Sequence, residues 1–349
     1  MMNDISKDIS LVLEEAKQNV RQTPWCFLIA DELASDYQNF SKFFKKELVW
    51  IGIGGSSSGP RAFFRIFDIK GTFLESPEDD FEGNFRKKLF YVVSKSGTTY
   101  ETLILFDKII KKLKVSGGNI SSSFIINSQD VDSPMSRIAR KYNIQIIPFP
   151  PQLSGRFSTF YIMYFYLSAM YPKILKGVCR GLSEVRNSLT NQDSLHFKLA
   201  SFLLQNLDKQ DLFLCFYSRK IFELSENISQ LIAESLGKDN KGFTPVANLG
   251  PNFQHSMAQL VLANPKSKFS IFIVPKGRRY EQVRREADAT YRAFSEKIPS
   301  MWIDFEQTPS EISKLVFSFQ IAIAVCGKIM GINPFDQPEV KRIRDMLEL

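Results

Sequence analysis

The chain has 349 residues, 44% of them apolar and 31 of them Phe, a composition that supports about two domains and excludes a disordered chain. Lys and Arg outnumber Asp and Glu by 45 to 37, a net charge of +8. The basic clusters at 42–46, 86–88, 276–286 and 341–344 are short and scattered, and none alternates with aromatics in an RNP-like pattern, so they imply a basic surface suited to small anions and rank a nucleic-acid binder last.

In chain order, MMNDISKDISLVLEEAK is an acidic, amphipathic start without the apolar core of a secretory leader. ELVWIGI (47–53) predicts a first strand ending in a glycine-rich turn, with helical RAFFRIF after it. KLFYVVS (88–94) predicts a second strand that runs through KSGTT into a helix over about 100–113. SSFIINS (122–128) is a third strand, a helix over 134–142 follows, and IQIIPF (144–149) is a fourth. Near-continuous apolar strands separated by single helices describe a parallel sheet covered on both faces. A long helix is expected over 156–175, then a polar segment from Glu184 to Ser194. Its apolar part, Phe157 to Tyr171, is too short to cross a bilayer and reads as a buried helix. The alternation then restarts with a helix over 197–207, strand 211–218, helix 221–235, strand 268–274, helix 280–297, strand 300–305 and helix 309–330. The expected fold is therefore α/β, two doubly wound parallel-sheet domains over 1–185 and 186–349, with a ligand cleft between them. Four cysteines, Cys26, Cys179, Cys215 and Cys326, lie far apart in apolar surroundings, as reduced core thiols of a cytoplasmic protein would. Two histidines do not make a His-rich metal centre, and neither metal nor membrane attachment is expected.

Two loops carry chemistry. IGIGGSSSGP, after the first strand, fits neither GxGxxG nor a P-loop, and alone it serves equally as a tight turn or a ligand loop. SKSGTTYET (94–102) sets four hydroxyls, Ser94, Ser96, Thr98 and Thr99, beside Lys95 at a helix start. Hydroxyls, backbone N–H groups, a cation and the helix dipole suit a phosphate monoester. Helix capping by Thr98 or Thr99 would explain one of the four hydroxyls.

Together with SGRFS (154–158), QLIAESLGK (230–238), GPNFQHSMAQL (250–260) and GINPFDQPEV (331–340), these loops resemble the glucose-6-phosphate isomerase family, six segments in order over most of the chain. The resemblance implies two sugar-isomerase-type (SIS) domains and the interconversion of glucose 6-phosphate and fructose 6-phosphate. It implies ring opening, a cis-enediol intermediate, no cofactor, and a place in glycolysis and gluconeogenesis. Glu234 matches the carboxylate base; it lies on an otherwise apolar helix, where a carboxylate is partly desolvated, and Gln230, four residues earlier on the same face, is placed to hydrogen-bond the sugar. Arg156 matches the arginine facing the enediolate oxygens, a charge that persists throughout the reaction. His255 matches the ring-opening histidine, which in the family crosses a dimer interface, so a homodimer is implied. Gly55 and Ser56 match the sugar-facing part of the first loop; Ser94, Lys95, Ser96, Thr98 and Thr99 match the phosphate clamp. Gln337 matches the glutamine near the phosphate. The tail departs from the pattern: Arg344 stands where the family carries a lysine that assists ring opening, and Lys341 replaces an acid. If one helix carried Gln337, Lys341 and Arg344, all three would share a face, and Lys341 could compensate. The chain is also shorter than is usual for the family. A sugar-phosphate-binding protein without efficient ring opening, or an isomerase also accepting mannose 6-phosphate, are the alternatives.

Overall fold

The computed structural model describes residues 2–18, 38–129 and 131–347, without the side chains of Met2, Asn3, Lys341 and Arg344; Cys26 lies outside the described residues. It contains two separate parallel sheets with helices on both faces, as expected. The first has the order β2-β1-β3-β4-β5, from β1 (Glu47–Ile51), β2 (Thr72–Leu74), β3 (Lys88–Val93), β4 (Phe124–Ser128) and β5 (Gln145–Pro148). The second has the order β7-β6-β8-β9, from β6 (Asp211–Phe216), β7 (Thr244–Leu249), β8 (Lys268–Pro275) and β9 (Ser300–Phe305). Right-handed crossovers gather the loops that follow each strand along one edge of its sheet.

Strand residues are buried on both faces, which is why the sequence shows apolar runs and no alternation. In the first sheet Val49, Ile51, Phe90 and Val92 pack with helices Tyr100–Val115 and Pro134–Tyr142. The alternate residues Trp50 and Tyr91, ring centroids 4.8 Å apart, join an aromatic cluster with Phe44, Phe64, Phe165 and Tyr166 on the opposite side. In the second sheet Phe213, Cys215, Phe272 and Val274 pack with helix Glu281–Ser295. Leu214, Ile271 and Ile273 point to the other face, and helices Leu195–Gln205, Ser225–Leu236 and Pro309–Ile329 pack on one another. By length and composition Pro309–Ile329 could cross a membrane, which the sequence reading did not single out; 83% of its most apolar window is buried inside the molecule, as in a core helix.

Three expectations change. The helix expected over 156–175 is a 3-10 turn, Gly155–Phe157, then helix Thr159–Met170, then helix Pro172–Asn187, which extends into the segment read as polar. Pro172 is the reason: it disfavours helical geometry at Tyr171 (φ −137°, ψ 55°) and is well placed to start a new helix. Strands β2 and β7 were not foreseen. Both are sheet edges, one of three residues and one carrying Pro245, a residue that an edge tolerates because one side has no ladder partner. The chain divides between Cys179 and Arg180, not at 185, and the N-terminal helix Met2–Gln18 belongs with the later unit. There it packs on Leu195–Gln205 and Pro309–Ile329, and Glu15 pairs with Lys328 at 2.6 Å. Among the described residues Cys179, Cys215 and Cys326 form no disulfide, and burial raises the thiol pKa of Cys215 and Cys326 well above the ordinary value.

Candidate active site

In the first unit the loop after β3 is held from both ends. Ser94 N–H donates to the Asn127 carbonyl at 3.1 Å, and the Gly97 carbonyl accepts from Met135 N–H at 3.2 Å. Gly97 has φ +67°, and a Cβ there would lie 2.4 Å from Ser133 Oγ, so only glycine fits this turn. The four hydroxyls pair within the loop: Ser94 Oγ with Thr99 Oγ1 at 2.9 Å, and Ser96 Oγ with Thr98 Oγ1 at 2.8 Å. Thr99 occupies the N-cap position of helix Tyr100–Val115, but its side chain makes no capping bond. Capping therefore explains none of the hydroxyls, and the first-turn N–H groups of a 16-residue helix lack a side-chain cap. Thr102, one turn further, has a buried hydroxyl without a hydrogen-bond partner among the described residues. Spacing alone does not distinguish it from a core threonine.

Lys95 Nζ donates to the Pro151 carbonyl at 3.0 Å. Burial, and then the positive charge of Arg156, hold its pKa below the usual lysine value. An anion bound beside both cations would relieve both effects. Arg156 is 2% exposed on the turn Gly155–Phe157, and the glycine loop presses against that turn from the other side. A Cβ on Gly55 would sit 2.6 Å from Arg156 N and 2.7 Å from Gly155 C. The two motifs, a hundred residues apart, are thus in backbone contact (Gly55 against Arg156). Ser56 is half-buried, and its carbonyl accepts from Trp50 Nε1 at 2.9 Å. Ser57 donates to Glu75, which also pairs with Arg61 at 2.9 Å and so braces the loop.

In the second unit Glu234 and Gln230 share a face of helix Ser225–Leu236, and Gln230 Nε2 donates to Glu234 Oε1 at 2.9 Å. Glu234 is half-buried, and Gln230 Oε1 is buried without a partner among the described residues. Just past the helix, Lys238 Nζ donates to the carbonyls of Ser235 and Asn333 and pairs with Asp336 at 3.1 Å; Lys241 Nζ donates to the Met330 carbonyl at 2.8 Å. These two lysines fasten the loop that carries Gln337 to the end of the helix that carries Glu234. Lys238 stands just past a helix end in the sequence, and local spacing does not reveal these long-range partners. Gln337 is half-buried but precedes the last helix, Val340–Leu347, so it does not share a helix face with Lys341 and Arg344. Pro338 explains this correction, since the residue before a proline is steered away from helical geometry. His255 ends the 3-10 turn Asn252–His255 with its side chain exposed. His196, by contrast, is buried, with Nε2 2.7 Å from the Leu189 carbonyl and 3.0 Å from Ser194 Oγ, and burial lowers its pKa. The structure therefore gathers Gly55, Ser56, Ser94, Lys95, Ser96, Thr98, Thr99 and Arg156 in one unit. Gln230, Glu234, His255 and Gln337 lie in the other, as do Lys341 and Arg344 by their place on the last helix.

No family model matches the chain. Curated relatives extend along nearly all of it: the glucose-6-phosphate isomerase of Methanocaldococcus jannaschii is 26% identical over 90% of this chain and 86% of its own length. That of Campylobacter jejuni is 26% identical over 86% and 84%. Along most of its length the chain is thus similar to proteins named glucose-6-phosphate isomerase. Solved structures agree in fold: a hypothetical protein of Thermus thermophilus superposes with TM-score 0.83 at 24% identity, covering 99% of this chain and 96% of that one. A glucose-6-phosphate isomerase of Chlamydia trachomatis superposes with TM-score 0.74 at 19% identity, covering 90% and 71%. A tagatose-6-phosphate ketose/aldose isomerase of Escherichia coli, at TM-score 0.55 and 12% identity, has the same general fold.

Proposed function

We propose that this chain is an aldose–ketose isomerase that interconverts glucose 6-phosphate and fructose 6-phosphate, working as a cytoplasmic homodimer in glycolysis and gluconeogenesis. One observation carries the reading: four hydroxyls and a side-chain-uncapped helix start stand beside two cations, the half-buried Lys95 and the buried Arg156, whose mutual repulsion a bound anion would relieve. The relatives' names support the choice of sugar.

In this reading Ser94, Ser96, Thr98, Thr99 and the amides of the helix start hold the phosphate. His255, reaching the site from a second copy, assists ring opening. Glu234 removes the C2 proton of the open aldose and returns it to C1, and the C–H electron pair becomes the enediolate. Gln230, bonded to one carboxylate oxygen, orients the base. Arg156 stabilises the developing negative charge on the oxygens, a task that needs a fixed cation and no proton exchange. Gln337 assists at the phosphate. Arg344, in place of a lysine, supplies charge without readily exchanging a proton, and Lys341, three residues earlier on the same helix, is the lysine that compensates.

The test is a coupled assay for glucose 6-phosphate formed from fructose 6-phosphate. Wild type should turn over. Glu234→Gln should lose about 10²–10⁴-fold in kcat while still binding inorganic phosphate. Wild-type-like turnover in that variant would sink the assignment. Arg344→Lys should remain active; rescue of an inactive wild type by this change would instead mean a binding protein.

A further inference from the structure

The second sheet has the same topological feature as the first, and a different set of residues fills it. In an open parallel sheet, ligands bind outside the carboxyl ends of the strands where the winding reverses. In the order β2-β1-β3 that point lies between β1 and β3, whose following loops are the glycine loop and SKSGTTYET. In the order β7-β6-β8 it lies between β6 and β8. The segments that follow these strands are 217–220, which enters helix Arg219–Phe222, and 276–280, which enters the 3-10 turn Arg278–Tyr280 and opens the basic run at 276–286 that the isomerase reading leaves without a role.

A cavity of about 440 Å³ opens there, lined by Tyr217, Ser218, Arg219, Lys220, Arg279 and Tyr280, with Gly250, Pro251, Val283 and Gln307 completing the wall. Three of the lining side chains are cations and none is a carboxylate. The basic run divides at this point. Arg284 pairs with Asp304 and Arg285 with Glu281, each at 2.7 Å, outside the cavity lining. Arg279 and Arg219 have no ion-pair partner among the described residues. Arg279 is instead held by neutral groups: its guanidinium lies 4.6 Å from the Tyr280 ring centroid and donates to Tyr280 Oη, which donates to Gln307 Oε1 at 2.7 Å. A network of neutral groups orients the cation without cancelling its charge. Tyr217, Pro251 and Val283 add apolar wall that suits a small organic body.

We infer that this crevice is a second anion site, distinct from the SKSGTTYET loop, that takes a small phosphate ester or diphosphate. The recognition is electrostatic, with hydrogen bonds from the Lys220 ammonium and from the Arg219 and Arg279 guanidinium groups, donors that match phosphate oxygens. The site lies wholly within the second unit, so it does not depend on the isomerase assignment.

The experiment titrates inorganic pyrophosphate into the full chain by calorimetry at low ionic strength, with three proteins. Wild type should bind pyrophosphate, and a Ser94→Ala, Lys95→Met variant, disabled in the first unit, should retain a binding event. Lys220→Gln with Arg279→Gln should weaken that event by about tenfold for each cation removed, with isomerase turnover and the thermal melt unchanged. Complete loss of binding in the Ser94→Ala, Lys95→Met protein would overturn the inference, because all the pyrophosphate would then sit in the first unit. So would undiminished binding after the Lys220 and Arg279 changes, or no binding to wild type.

Discussion

Gly55→Ala tests the link between the glycine loop and Arg156. The added methyl group would lie 2.6 Å from Arg156 N, 2.7 Å from Gly155 C and 2.8 Å from Arg156 Cα, all backbone atoms that cannot rotate away. Relief requires the two segments to separate from 2.6 Å to the 3.4 Å at which ordinary contact begins, a shift of about 0.8 Å. Overpacking of this kind costs about 1–3 kcal/mol of stability. The larger effect should be catalytic, since displacing a charge-stabilising group by roughly 1 Å costs about 10²-fold. The coupled assay should therefore show kcat falling about a hundredfold, with a cooperative denaturant transition still present. Gly155→Ala is the internal control: it lies in the same contact, but a Cβ there meets no atom within 4 Å, so turnover should be unchanged. A fully active Gly55→Ala enzyme, or an equal loss in Gly155→Ala, would refute the reasoning.

Two further predictions follow from buried polar groups. His196 has a pKa lowered by burial, so the folded protein binds fewer protons there than the unfolded chain. Its contribution to stability is whole above the ordinary histidine value of 6.5 and is lost as pH falls from there through the lowered value. Denaturant midpoints against pH should fall more steeply for wild type than for His196→Asn below that point, and parallel curves would contradict this. Lys238→Met removes the bonds to Ser235, Asn333 and Asp336 and should cost about 1–3 kcal/mol, with a raised KM as the Gln337 loop loosens. Asp336→Asn should do less, because both carbonyl contacts survive; equal effects from the two changes would show that the ion pair alone fastens the loop.

Much of the molecule was legible because its chemistry is contiguous. The strand, turn and helix of 88–115 set four hydroxyls and a lysine at a helix start within one stretch of chain, and the apolar runs of β1, β3, β4, β6, β8 and β9 announce sheets covered on both faces. Gln230 and Glu234 are neighbours by helix geometry alone. What local pattern could not carry depends on partners distant in sequence. Strands β2 and β7 owe their conformation to the neighbours they pair with, β1 and β6, and not to their own propensity. The N-terminal helix is amphipathic whichever unit it joins, and only its contacts with Leu195–Gln205 and Pro309–Ile329 decide. Lys238 reads as a helix-end cation until Asn333 and Asp336 are brought to it. Gly55 reads as a turn glycine until the backbone of Arg156 fills the space a side chain would need. Sequence by itself determined the local chemistry of each loop, since turn conformation and hydroxyl spacing are set within a few residues. Tertiary structure decided which loops touch, because close packing between segments a hundred residues apart depends on the whole core between them.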